Sequence, residues 1–148
     1  MAAIAQVIQL AIAPVFVLVA IGNIMNLLTN RLGRVVDRSR DLQRSHAETE
    51  GSEHDAIVRE FRIIDRRIEL ISQSMLALVL TALSIGGTIV VLFLQEFVGL
   101  NLQGLAAGSF ILAIALLMWA LVLFLRETRL ATATLRVSEK YLENDRRL

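Results

Sequence analysis

Residues 22–37 read GNIMNLLTNRLGRVVD, starting inside a long apolar run and ending among charges. Asn23, Asn26, Asn30, Arg34 and Asp37 recur every three or four residues, which places all five on one face of a continuous helix. Carboxamides at or within a hydrocarbon layer need a hydrogen-bonding partner, so this face is predicted to meet protein or water. The stretch therefore marks a helix passing from an apolar medium into a charged one.

The composition agrees. Of 148 residues, 55% are hydrophobic, and the mean hydropathy is +0.62, above what soluble domains carry. The length fits a single membrane domain. All 15 Lys and Arg fall within 31–67 and 126–147. The first basic block is accompanied by nine acidic residues from Asp37 to Glu69, so no nucleic-acid partner is expected. The absence of cysteine excludes disulfides and thiolate chemistry.

Outward from the opening stretch, a first span is expected at about residues 6–29, since roughly 20 helical residues cross a hydrocarbon core. Pro14 sits in its outer half, as a kink or as the end of a short interfacial piece. A secretory leader would carry its basic residues before the apolar run, and here they follow it. Residues 31–71 form a charged, helix-periodic segment. Leu28, Leu32, Val35, Ser39 and Leu42 make one strip, and Ile57, Phe61, Ile64, Ile68, Ile71, Met75, Leu78 and Ala82 make the return strip. The polar stretch HAETEGSEH (46–54) joins them, with Gly51 as breaker and Ser52 as N-cap. Two such strips around a short turn read as an antiparallel helical hairpin.

A second span covers 72–94. Ser74, Thr81, Ser84 and Thr88 lie near one face, for back-bonding or interhelical contact, and Gly86–Gly87 offer room for a neighbouring helix. A loop at 95–103 carries Glu96 alone among charges. A third span, 105–125, has Gly104 and Gly108 at small-xxx-small spacing, Ala106, Ala113 and Ala120 at heptad spacing, and Trp119, read as packing. Residues 126–148 form a tail in which Leu130, Val137 and Tyr141 give an apolar stripe, read as a helix lying on the hairpin or at the membrane surface. Both basic blocks flank spans on the same side. The positive-inside rule therefore places hairpin and tail in the cytoplasm, with the N-terminus and the 95–103 loop outside.

APVFVLVAIGNIMNLLTNRLGRVVDR (13–38) and RRIELISQSMLALVLTALSI (66–85) resemble an uncharacterised bacterial family, domain of unknown function two-seven-two-one. The amide-rich end of the first helix running into the basic segment carries most of the likeness. The resemblance implies a small integral protein of the bacterial inner (cytoplasmic) membrane with three spans. It supplies no activity and no catalytic residue.

The expected fold class is all-α: three transmembrane helices, helices 1 and 2 extended into a cytoplasmic antiparallel coiled-coil hairpin, and an amphipathic C-terminal helix. Three roles fit the face of Asn23, Asn26, Asn30, Arg34 and Asp37: interhelical hydrogen bonding, the polar lining of an ion or solute path, or a docking face. Arg34 and Asp37, like Arg38 and Asp41, stand three apart as helix ion pairs or as a charged ring at a pore mouth. Arg31, Arg66, Arg67, Arg126 and Arg129 are candidates for lipid-headgroup contacts. His46 and His54 crowd the turn with Glu48, Glu50, Glu53 and Asp55, but without closed-site spacing, so no metal and no cofactor is expected. No serine has a histidine and acid arranged for nucleophilic catalysis, and no glycine-rich phosphate loop is present, so the chain is not read as an enzyme. The functional expectation is a homo-oligomeric membrane protein, channel-like with the first helices facing inward. The alternative is a non-conducting scaffold or accessory subunit docking a protein partner through its hairpin. The expected partners are the lipid bilayer and further copies of the chain.

Overall fold

The computed structural model describes residues 2–46, 51–99 and 101–134. They form α1 (Ala2–His46), α2 (Ser52–Val98) and α3 (Gln103–Thr134). Among the described residues, these three helices are long and apolar enough to cross a membrane. At 1.5 Å per residue α1 and α2 each extend about 70 Å, more than twice a hydrocarbon core. Part of each therefore projects beyond the membrane at the α1–α2 end.

α1 runs unbroken through Pro14, which has no N–H to donate to the Leu10 carbonyl one turn earlier. α2 begins after Gly51, which holds the N-cap position with φ +72° in place of the expected Ser52. α2 ends at Gly99, whose φ of +69° is a left-handed conformation that glycine adopts without Cβ strain. Its N–H donates to the Gln95 carbonyl at 3.1 Å. The turn residues 47–50 and the tail residues 135–148, including Val137 and Tyr141, lie outside the described residues. Residues 126–134 continue α3 in line with the span and do not start a separate surface helix.

α2 is the central element. Both other helices pack on it, while the backbones of α1 and α3 stay apart. Toward α1, the buried residues recur every seven positions: Ile21, Leu28, Val35 and Leu42 on α1, and Ile57, Ile64, Ile71, Leu78 and Ile85 on α2. Leu32, Phe61, Ile68, Met75 and Ala82, half-buried, complete both strips. The helices run antiparallel. His46 and His54 have ring centroids 4.3 Å apart near the turn, and Arg38 Nε donates to Glu60 Oε1 at 2.8 Å further along. That bond raises the Arg38 pKa against the desolvation of burial, and the nearby Glu60 and Asp41 charges add to the rise.

Toward α3, α2 presents a second seven-residue row, Ser74, Thr81 and Thr88, all buried. α3 answers with Ala106, Ala113 and Ala120. Small side chains let the two backbones approach. The Ser74 hydroxyl donates to the Ala120 carbonyl at 2.9 Å, and the Thr88 and Ser109 hydroxyls bond at 2.7 Å. Thr81 and Thr88 also bond back to the carbonyls of Ala77 and Ser84. Gly86, Gly87, Gly104 and Gly108 take no part in close packing: a Cβ at any of them would meet nothing within 4 Å.

Trp119 corrects its sequence reading as a packed residue. It is 54% exposed, because Ala120 occupies the inward position and one residue rotates the helix by about 100°. Phe16, Leu76, Leu83, Phe97 and Ile111 also face outward. Large apolar side chains turned outward on all three helices suit a lipid environment.

Candidate functional site

Two polar features stand out. The first is the outward face of α1. Asn23, Asn26, Asn30, Arg34 and Asp37 are all exposed. The buried row of α1 explains this: the three asparagines lie about 140–160° around the helix from Leu28. Among the described residues no side-chain hydrogen bond satisfies the amides of Asn23, Asn26 or Asn30. Gly22 and Gly33, also exposed, lie on the same side with open space beside them. Asp37 approaches Arg40 at 3.9 Å, not Arg34, and Arg44 approaches Asp41 at 3.7 Å. These exposed pairs contribute little to stability.

The second feature is an ionic clasp joining all three helices. Glu127 of α3 is 0% exposed. Its Oε1 accepts from Arg67 Nε at 3.1 Å and Arg67 Nη2 at 2.9 Å, a fork from α2. Its Oε2 accepts from Arg31 of α1, which also donates to Thr128 Oγ1 at 3.0 Å. The Arg31 guanidinium lies 5.1 Å from the Phe124 ring centroid. An uncompensated buried carboxylate would destabilise the fold by several kcal/mol, and two guanidinium groups offset that. With two arginines and one glutamate, the clasp carries a net charge of +1.

The five arginines grouped as headgroup contacts thus separate. Arg31 and Arg67 are only 23% exposed and turn inward. Arg66 pairs with Glu69 one turn away. Arg126 and Arg129 are exposed. Sequence reasoning missed Glu127, although a signal was present. The heptad of Ala106, Ala113 and Ala120 continues to position 127, so the acid extends the inward row. At the α1–α2 turn, His46 and His54 meet and His46 lies edge-on to Phe61, with centroids 6.0 Å apart. Among the described residues no three His, Cys, Asp or Glu side chains gather as metal ligands.

Length, hydropathy and the helix-joining clasp define the class: a helical multi-pass membrane protein with three apolar helices. Residues 11–137 match the family described as "Protein of unknown function (DUF2721)", and the chain belongs to that family. No curated protein and no solved structure matches the chain.

Proposed function

We propose that this is a non-enzymatic protein of the bacterial cytoplasmic membrane that self-associates through the polar face of α1. The resulting assembly is channel-like, with Asn23, Asn26 and Asn30 lining an ion or solute path and Arg34 and Asp37 at its cytoplasmic mouth. One observation carries this reading: the asparagine face points away from both α2 and α3. Amides at membrane depth need partners, and the three-helix unit does not use itself to satisfy them. Gly22 and Gly33 would let neighbouring α1 helices approach. In this arrangement the clasp holds the rotation of α1 so that its amides face the other copies.

The absence of native cysteine makes the test clean. In membranes, Asn26→Cys should form a disulfide-linked species, while Leu83→Cys on the outward face of α2 should not. In liposomes the protein should support ion flux that Asn23→Leu abolishes without altering the fold. Flux unchanged by Asn23→Leu, or no cross-link at position 26, would refute the lined path.

A second reading, a non-conducting scaffold docking a protein through a coiled-coil hairpin, is supported by a charged groove of about 370 Å³ lined by Asp55, Val58, Arg59 and Arg62. A protease site inserted at the turn tests the topology both readings share. Cleavage from the cytoplasmic side is expected, and cleavage from outside would overturn it.

A further inference from the structure

At the α2–α3 end the three helices enclose an open cleft of about 350 Å³, whose walls are mainly apolar. Leu10 and Pro14 of α1, Leu92 and Gln95 of α2, and Ala107 and Phe110 of α3 line it. The two ends differ. Gln95 and Gln103 stand at the rim near the α2–α3 turn, and Thr88 marks the depth on α2. From Gln95 to Thr88 is about 10 Å along the helix, a large part of one hydrocarbon leaflet.

The rim of this cleft holds an acceptor without a donor. Gln95 Oε1 is buried and has no hydrogen-bond partner. A buried acceptor without a donor is destabilising, so the site calls for a ligand that brings donors. Charge narrows the chemistry. No Lys or Arg precedes Arg31 or falls between Arg67 and Arg126, and the exposed Glu96 follows Gln95 in the chain. Nothing there attracts an anionic head, and a cationic donor is favoured.

We propose that this cleft binds one acyl chain of a zwitterionic lipid whose primary ammonium head donates to Gln95 Oε1. An ammonium supplies three donors, whereas a choline head supplies none. Apolar contact holds the chain, and Gln95 Oε1 selects the head.

The test uses the full chain with Trp119→Phe and Phe110→Trp, so that one tryptophan reports on the cleft. It is placed in phosphatidylcholine vesicles containing a small fraction of chain-brominated phosphatidylethanolamine or chain-brominated phosphatidylcholine. Half-maximal quenching is expected at an about threefold lower fraction of the ethanolamine lipid, the discrimination of one modest hydrogen bond. Gln95→Leu should equalise the two lipids while leaving quenching present. Ala107→Phe, which fills the cleft from an exposed position, should reduce quenching by both. Equal quenching by both lipids in the Gln95 protein would overturn the proposal, as would a preference that survives Gln95→Leu. Circular dichroism of each variant confirms that the fold is retained.

Discussion

Arg67 of α2 forks onto one oxygen of Glu127, sixty residues away on α3, with bonds of 3.1 and 2.9 Å, while Glu127 itself is fully buried. Arg31 of α1 takes the other oxygen. Since the backbones of α1 and α3 do not approach each other, this carboxylate is a direct polar link between them.

Removing the acid leaves two partly buried arginines facing each other. Glu127→Leu is expected to destabilise the fold by about 3 kcal/mol, at the lower end for broken buried pairs because both arginines retain some solvent contact. Equilibrium unfolding in mixed micelles measures this. A triple variant with Arg31→Met, Arg67→Met and Glu127→Leu should recover much of the loss, because no charge is then left without a partner.

The α1–α2 hairpin beyond the membrane depends on ordinary apolar burial. Ile64 is buried between the two strips, and Ile64→Ala should cost about 2–5 kcal/mol in local stability. Hydrogen exchange should then accelerate in residues 35–65 and remain slow in the spans. Arg38→Ala removes only an exposed bridge to Glu60, so it should change stability by less than about 1 kcal/mol.

The α2–α3 seam is limited by size and not by polarity. Ser74→Ala removes one interhelical hydrogen bond and should cost only about 0.6 kcal/mol. Ala120→Leu pushes a larger side chain into the seam and should cost about 1–3 kcal/mol. The order of these two effects, read from thermal unfolding in detergent, checks whether close approach is the main contribution.

Trp119 faces outward. In vesicles, brominated acyl chains should quench its fluorescence strongly, while aqueous iodide should not. Strong protection from brominated lipid would mean that another chain covers this face.

The sequence by itself determined the medium, the three long helices and the faces of α1 and α2. These follow from local regularities: apolar runs of spanning length, seven-residue strips, and Lys and Arg confined to two blocks. Leu28, Val35, Leu42, Ile57, Ile64 and Ile71 are buried as their spacing predicts, and Asn23, Asn26 and Asn30 are turned away for the same reason. The tertiary structure alone decided the fate of individual charges and rings. Arg31 and Arg67 sit where a headgroup contact is the natural reading, yet an acid on a third helix turns both inward. Trp119 lies one residue from the inward row, and only the contact between α2 and α3 shows which neighbour that row selects. Periodicity records how a side chain is placed on its own helix. Whether a charge is paired or a ring is packed depends on which residue of another helix meets it.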